Sequence, residues 1–159
     1  MEGKIIIVGA TGYTGSALAK LLKKENIDCH LIGRNESELQ KLANETGQSF
    51  SVCSNVSDEQ SVNESLSSIA NDKILGFAYC VGSIVLKSFQ TTKSEDFINT
   101  FNLNVTGAIL FIKKLQRQLA ENNGSIVLFS TVAVDRGFNM HSVISTAKGA
   151  IQGLTTSLA

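Results

Sequence analysis

Residues 9–15 read Gly9-Ala-Thr-Gly12-Tyr-Thr-Gly15 and lie between an apolar run, residues 4–8, and a stretch of helical period. Because glycine has no Cβ, a loop with this spacing can turn tightly and bring its backbone close to a ligand. The first turn of the following helix offers free N–H groups and a partial positive charge, which attract phosphate. In this strand–loop–helix context the spacing predicts a dinucleotide-binding loop.

Two alternatives exist for this glycine loop. A loop of small residues can simply let a helix pack closely on a strand. A P-loop is excluded, because no Gly-Lys-Ser/Thr follows. Under the dinucleotide interpretation, the candidate cofactor-binding residues of the loop are Gly9, Thr11, Gly12, Tyr13, Thr14 and Gly15.

Apolar runs of strand length alternate with segments of helical period along the whole chain, without a repeat or a linker. This alternation is typical of a parallel sheet with helices on both faces. We therefore predict an α/β fold, a Rossmann-type doubly wound parallel sheet whose five strands have the order 3-2-1-4-5. The predicted strands are residues 4–8, 29–32, 49–53, 74–81 and 125–129.

Capping patterns predict where the helices begin and end. After the glycine loop, Ala17, Leu18, Leu21 and Leu22 give an apolar stripe at helical spacing. Serine, threonine or asparagine followed three residues later by glutamate or glutamine marks several starts. The predicted starts are Asn35, Ser57, Thr92 and Ser142, and the predicted ends are Thr46, before Gly47, and Glu121, before the Asn-Asn-Gly of residues 122–124.

The longest predicted helix, residues 92–121, is apolar on more than one face. Phe97, Phe101 and Ile109 cannot all point into the same sheet as Phe111 and Leu115. We therefore expect part of this helix to pack on a partner chain. A homodimer or homotetramer through residues 92–121 and 142–159 is the predicted assembly.

Length and charge exclude several classes of partner. With 159 residues and 43% hydrophobic content, the chain can bury one real core, so residues 1–159 are predicted to form a single domain. Lysine plus arginine equal aspartate plus glutamate at 14 each, so no net field favours nucleic acid or an anionic membrane. The longest early apolar run is too short to span a bilayer. A small-molecule substrate and a cytoplasmic location are expected.

The three cysteines are widely spaced and odd in number. Each lies in a predicted strand or at its end, which is typical of reduced, buried thiols. A metal site would need closer ligand pairs and more histidine than His30 and His141, so no metal is predicted. The thiols in question are Cys29, Cys53 and Cys80.

The residues after the second strand predict which cofactor is bound. An acidic side chain there would accept hydrogen bonds from the adenosine ribose and repel a phosphate. The chain instead has Gly33-Arg34-Asn35, and Arg34 can pair with a 2′-phosphate through charge-assisted hydrogen bonds. NADP(H) is therefore preferred over NAD(H), the alternative for Arg34 being a solvated charge at a helix start.

The stretch from Gly124 to Ala159, with its spacing, resembles the short-chain dehydrogenase/reductase family. Residues 124–133 are similar to its fifth strand and serine segment, and residues 147–159 to the helix with its catalytic lysine. The resemblance covers the whole chain, but the chain covers only about two thirds of a family domain, so truncation at the C-terminus is expected. The resemblance adds Asn55, Val56, Cys80, Val81 and Gly82 to the predicted cofactor contacts.

The resemblance also implies a catalytic set. Lys148 matches the lysine that holds the nicotinamide ribose, Asn104 the asparagine of the proton relay, and Thr131 the serine that orients the substrate. Ile144 stands where the family has its proton-donating tyrosine, and an isoleucine cannot donate a proton. The glycine spacing also departs from the family's common form.

A replacement acid would have to come from the remaining titratable residues. If the last helix includes residue 141, then His141, Ser145 and Lys148 share one face, and a histidine can titrate near neutrality. His141 is therefore a candidate catalytic residue, its alternative being a surface histidine. Tyr13 and Tyr79 are interpreted as wall or core residues.

Two functions follow from this sequence. The first is an NADP(H)-dependent oxidoreductase of the short-chain type that acts on a carbonyl or alcohol. The second is a catalytically silent NADP-binding sensor or interaction protein that has lost its proton donor. A truncated fragment that binds cofactor weakly is a third interpretation.

Overall fold

The sheet and its strand order are as predicted. The computed structural model describes residues 3–159, and its five parallel strands have the order β3-β2-β1-β4-β5. Three predicted strand ends differ from the observed ends by one residue. The strand predicted over residues 74–81 ends two residues early, because Cys80 and Val81 leave the ladder after a last hydrogen bond from Cys80 N–H to the Val8 carbonyl. The strands are β1 Lys4–Val8, β2 Cys29–Gly33, β3 Ser49–Val52, β4 Ile74–Tyr79 and β5 Ser125–Leu128.

The central strand β1 is apolar on both faces because helices cover both sides of it. Ile6, Ile7 and Val8 are fully buried, and the strand pairs with β2 on one side and β4 on the other. Parallel strands need a crossover between neighbours, and the helices provide these crossovers. The point where the chain reverses direction across the sheet therefore lies between β1 and β4.

Seven α-helices lie within the part of the chain that the structure describes. Asn35 caps α2 as predicted, accepting a hydrogen bond from Glu38 N–H, and Gly47 ends it at a φ of 72°. The helices are α1 Tyr13–Lys24, α2 Glu36–Thr46, α3 Glu59–Leu66, α4 Ser94–Phe101, α5 Gly107–Glu121, α6 Ala133–Arg136 and α7 Ser142–Leu158.

Two predicted capping boxes are wrong by one residue. Helix α3 is capped by Asp58, whose carboxylate accepts from Ser61 N–H at 2.8 Å, and not by Ser57. Helix α4 begins after Lys93, whose backbone N–H donates to the Asp96 carboxylate at 3.0 Å. In both places an aspartate carboxylate, a stronger acceptor than a hydroxyl, takes the capping bond.

The predicted helix over residues 92–121 is not continuous. It consists of α4, a π-helical segment Asn102–Thr106, and α5. A π turn adds one residue to the helix and changes the direction in which the side chains before and after it point. The apolar residues of α4 and α5 therefore face different surroundings, which a single helical wheel does not describe.

Apolar side chains form a core on each face of the sheet. One core packs α3, α5 and α7 against the sheet around Phe77 and Phe111, and the other packs α1 and α2 around Ile7 and Leu31. Each large side chain so buried stabilises the fold by about 1.5–3 kcal/mol. The two cores hold the carboxyl ends of the strands in fixed positions.

Three further features concern the surface and the thiols. Among residues 3–159, no helix combines the length and apolarity that crossing a membrane requires. Cys29 and Cys53 are buried and Cys80 is half-buried, and all three are free thiols, as predicted. No group of three or more potential ligand side chains is placed to hold a metal within that same range.

Candidate functional site

A cleft of about 380 Å³ opens at the carboxyl ends of β1 to β4. This is the edge at which parallel α/β sheets bind their ligands. Most of the residues predicted to contact a cofactor line this cleft. Its predicted lining residues are Gly9, Thr11, Gly12, Arg34, Asn55, Val56, Cys80, Val81 and Gly82, and the lining residues missed at the level of sequence are Val8, Gly33, Cys53, Ser54, Ser83 and Leu103.

The glycine loop follows β1 directly and forms one wall of this cleft. Gly9 has a φ of 81°, a left-handed conformation that side chains disfavour, and its N–H donates to the Ile32 carbonyl at 2.8 Å. Gly12 is the N-cap of α1 without any side-chain cap, and the first turn of α1 contains no acidic residue. The N–H groups of that turn therefore have no acceptor inside the helix.

Three of the predicted loop contacts lie outside the cleft lining. Tyr13, Thr14 and Gly15 form the first turn of α1. Tyr13 is 95% exposed, so its interpretation as a wall or core residue is wrong. Gly15 is buried, and a Cβ there would collide with the Gly9 carbonyl oxygen, so this position serves close helix–strand packing.

The far end of the cleft lies beyond β2 and β3. Arg34 is exposed at the cleft rim, and none of the described lining residues carries a carboxylate. Among residues 3–159 no salt bridge involves Arg34. Asn55 accepts hydrogen bonds from the backbone and hydroxyl of Ser57, which fixes the turn after β3. Arg34 therefore gives this end of the cleft a positive charge.

Asn104 and Lys148 converge on Gly82 at the other end of the cleft. A Cβ on Gly82 would lie 3.2 Å from Asn104 Oδ1 and 3.8 Å from Lys148 Nζ. Asn104 is fully buried; its amide donates to the Thr100 carbonyl, while its Oδ1 has no hydrogen-bond partner within the described chain. Burial also lowers the pKa of the Lys148 ammonium below its ordinary value. An orphaned acceptor and a cation therefore face one small space.

The segment after β5 places the remaining candidates. Thr131 is partly buried, and its hydroxyl accepts from Ala133 N–H at 3.3 Å. The neighbouring Ser130 hydroxyl donates to the Lys148 carbonyl at 3.4 Å, which ties the end of β5 to α7. Ile144 is buried on α7.

The shared face of His141 and Lys148 is predicted only for a last helix that includes residue 141. Helix α7 begins at Ser142 and His141 is its N-cap, so this condition is not met. The imidazole Nδ1 donates to the Asn139 carbonyl at 2.7 Å, and the ring packs on Phe138. These contacts fix the ring in the turn before the helix.

Tyr79 is not placed to act as an acid in this geometry. Tyr79 is buried, its hydroxyl donates to the Leu103 carbonyl at 2.7 Å, and burial raises its pKa well above the ordinary value. Its interpretation as a core residue is confirmed. Burial also raises the pKa of Cys80 to about 11, so that thiol stays protonated at neutral pH.

A parallel sheet in this order, with a glycine loop at the point where the strand order reverses, defines the class of Rossmann-type α/β proteins. The family model for short chain dehydrogenases matches residues 3–159. The chain therefore belongs to the short-chain dehydrogenase family.

Curated relatives are distant but align along nearly the whole chain. Carbonyl reductase family member 4 of Xenopus laevis is 26% identical over 96% of this chain and 66% of its own length. The 3-oxoacyl-(acyl-carrier-protein) reductase of Rickettsia typhi is 27% identical over 96% of this chain and 64% of its own. The chain thus spans slightly less than two thirds of these two relatives.

Solved structures agree with this fold. A short chain dehydrogenase/reductase family protein superposes with a TM-score of 0.90 at 25% identity, covering 99% of this chain and 68% of the other. A putative betaketoacyl-ACP reductase gives a TM-score of 0.90 at 23% identity over 99% and 66%. The five-stranded part present here is the common element.

Proposed function

We propose that this chain is an NADP(H)-dependent oxidoreductase that interconverts a small carbonyl compound and its alcohol. The observation that carries the proposal is the convergence of Asn104 Oδ1 and Lys148 Nζ on Gly82, at the end of a glycine-walled cleft. The named activities of the two curated relatives, both reductases, support the same reaction class. The three free thiols are compatible with the reducing cytoplasm, where we place this activity.

The residues along the cleft support the binding of a dinucleotide. Gly12 and the first turn of α1 would hold the pyrophosphate, Arg34 the adenosine 2′-phosphate, and Lys148 the nicotinamide ribose. The orphaned Asn104 Oδ1 fits a donor at the nicotinamide end, since a buried acceptor without a partner is costly. When bound, NADPH supplies the hydride that a carbonyl carbon accepts.

The chain's own residues then supply orientation and the proton. The Thr131 hydroxyl orients the carbonyl oxygen, and Lys148 provides the proton that this oxygen takes up. A lysine whose pKa is lowered by burial gives up its proton more readily near neutrality. His141 lies at the helix start and is left out of this set.

Cofactor choice is tested by Arg34→Asp. We expect NADPH affinity to fall roughly 10- to 100-fold, because a charge-assisted hydrogen bond of about 1.5–3 kcal/mol is replaced by repulsion, while NADH affinity changes little. Both affinities are measured by fluorescence titration of the purified chain. Lys41→Asp, an equal charge change at an exposed position of α2, is the matched control. An unchanged ratio of the two affinities would contradict the assignment of Arg34.

Ile144 supports a second candidate function, a silent NADP-binding sensor. This buried side chain occupies the position at which the family resemblance places the proton donor. The two functions differ in turnover, since the sensor binds NADPH but oxidises none in the presence of carbonyl compounds.

Turnover by the Ile144→Tyr variant tests how much a missing acid limits the reaction. Restoring a phenol four residues before Lys148 is expected to raise NADPH oxidation by about 10²-fold, since a positioned general acid contributes roughly 10²–10⁴-fold. Ile144→Phe has the ring without the hydroxyl and is the control. Slow NADPH oxidation by the wild type supports the enzyme. If the wild type oxidises no NADPH and only the Ile144→Tyr variant does, the result supports the sensor. A tyrosine variant no faster than the phenylalanine variant would contradict the role of this position.

The predicted assembly also stays a proposal. Ile98 and Phe101 of α4 are exposed beside Val143 and Ala147 of α7, and together they border an apolar groove of about 340 Å³. Apolar surface of this kind is typical of contacts between chains. We propose that α4 and α7 form the contact of a homodimer or homotetramer.

A further inference from the structure

The Tyr79 hydroxyl reaches from the end of β4 into the π-helical segment Asn102–Thr106. It donates to the Leu103 carbonyl at 2.7 Å, across 24 residues of sequence. The ring is buried beside Phe77 and Phe111, with ring centroids 6.3 Å away in each case. Because burial raises the pKa of this phenol far above neutrality, the hydroxyl remains a hydrogen-bond donor throughout the physiological range.

The π turn explains why Leu103 needs this donor. In an α-helix the Leu103 carbonyl would accept from the N–H of Gly107, four residues later. Here the Gly107 N–H donates to the Asn102 carbonyl instead, five residues back. The Leu103 carbonyl therefore loses its helical partner, and a carbonyl left unsatisfied costs about 1–3 kcal/mol. Tyr79 replaces the missing donor.

Gly107 makes room for the hydroxyl. A Cβ at this position would collide with the Tyr79 hydroxyl oxygen and would lie 3.0 Å from Val56 Cγ2. The Tyr79 hydroxyl thus occupies the space that a side chain at residue 107 would need. Its effect falls on Asn104, which lies inside the π turn between Leu103 and Gly107.

We propose that Tyr79 is a positioning residue, which holds the π turn so that Asn104 Oδ1 faces Gly82 beside Lys148. Without the hydroxyl, ordinary α-helical pairing of Gly107 N–H with the Leu103 carbonyl becomes favourable. Because neighbouring helical residues differ by about 100° in direction, losing the extra residue rotates Asn104 relative to α5. This inference rests on the proposed function only in naming NADPH as the ligand whose nicotinamide end Asn104 contacts.

The test compares the wild type with Tyr79→Phe, which removes one oxygen and keeps the ring. In the nucleotide-free variant the π turn and the α-helical pairing interconvert, and each interconversion opens the hydrogen bonds of this segment. Hydrogen exchange of the amides of residues 102–107 is therefore expected to become about 10-fold faster. NADPH affinity is expected to fall about 10-fold, whereas affinity for 2′,5′-ADP, which lacks the nicotinamide half, stays unchanged. A residue needed only for general stability would move both affinities together.

Phe77→Leu is the matched control, because it weakens the same aromatic cluster on the same strand without touching Leu103. It is expected to lower stability and leave the ratio of the two affinities unchanged. Gly107→Ala is a second route to the same state, since its Cβ displaces the hydroxyl. The Tyr79→Phe/Gly107→Ala double variant should be less impaired than the two single effects combined, because removing the hydroxyl relieves the closest contact of the added Cβ. Contacts with Val56 Cγ2 at 3.0 Å and the ring Cζ at 3.1 Å remain and require a small shift.

Unchanged exchange over residues 102–107 in Tyr79→Phe would overturn the proposal, as would an equal loss of NADPH and 2′,5′-ADP affinity. A wild-type chain that binds neither nucleotide would overturn the proposed function instead. In that event the exchange measurement and the double variant still decide whether Tyr79 holds the π turn.

Discussion

Gly9→Ala is expected to lower the free energy of unfolding by about 2–6 kcal/mol, the sum of backbone strain and overpacking, each about 1–3 kcal/mol. The strain arises because Gly9 has a φ of 81°. The overpacking arises because an added Cβ would lie 2.9 Å from both the Cys80 carbonyl carbon and the Val81 nitrogen. These are backbone atoms of the neighbouring chain segment after β4, so they cannot turn aside as a flexible side chain would. Urea unfolding followed by far-UV circular dichroism, without nucleotide, measures the effect.

Two other glycines separate strain from loss of a ligand contact. Gly153→Ala lies in α7 with open space around it, and should stabilise the protein by about 0.5–1 kcal/mol because alanine is the better helix former. Gly12 has an ordinary φ of −71°, and its added Cβ would be 3.3 Å from the Gly9 carbonyl oxygen. Gly12→Ala should therefore fold, yet bind NADPH more weakly. If the free energy of unfolding of Gly9→Ala lies within about 1 kcal/mol of the wild-type value, the strain assigned to this loop is wrong.

The glycine loop and the strand order could be predicted because their signals are local. A buried parallel strand is a continuous apolar run, and Gly9, Gly12 and Gly15 mark the turn where the chain leaves it. The cleft residues missed at the level of sequence, such as Gly33 and Ser83, lie at a strand end or shortly after it. Their only signal is position at the carboxyl edge of the sheet, which needs the strand boundaries to within one residue.

The π turn could not be predicted in this way. It depends on a hydrogen bond between Tyr79 and Leu103, which lie 24 residues apart in the chain. Helical periodicity describes residues 92–121 as one helix, because no local pattern marks the extra residue. The identity of Asn104 was therefore available from the sequence, whereas the direction of its side chain was not.

Periodicity placed the buried stripe of α1 only in part. Leu22 of the predicted stripe is buried and Leu18 is half-buried, whereas Leu21 is 54% exposed. Ala19, which is not part of the predicted stripe, is buried. Small residues next to the glycine loop, Gly15 above all, decide how closely and at what rotation α1 approaches the sheet. Counting apolar residues favours leucine over alanine, although the closest contacts here are made by the small residues.

Between pH 6.5 and pH 4 the protein is expected to lose about 3 kcal/mol of stability through His30 alone, since one pKa unit corresponds to about 1.4 kcal/mol. His30 is 2% exposed within β2, and its ring nitrogens are hydrogen-bonded to the hydroxyls of Ser49 and Ser51 at 2.8 and 2.7 Å. Burial first, and then the positive charge of Lys4, lower its pKa from 6.5 to about 4, while Asp72 partly opposes them.

The direction of this effect follows from which state binds the proton. Below pH 6.5 the unfolded chain protonates its histidine, whereas the folded protein does so only near pH 4, so acid favours unfolding across this interval. The contribution is fully present above pH 6.5 and is lost as pH falls toward 4. Urea unfolding at steps between pH 7.5 and 4 measures it, with His30→Gln as the variant that keeps a polar, non-titrating side chain.

The wild-type slope should be largely absent in His30→Gln and retained in His141→Gln, which removes the chain's other histidine at the half-buried N-cap of α7. Carboxylates make a separate contribution at lower pH. The Asp96 carboxylate, hydrogen-bonded to Lys87, has a pKa held below its ordinary 3.8, so its contribution disappears only under more acidic conditions. A stability loss between pH 6.5 and 4.5 that persists in His30→Gln would therefore contradict the role of His30 and assign the acid sensitivity to other groups.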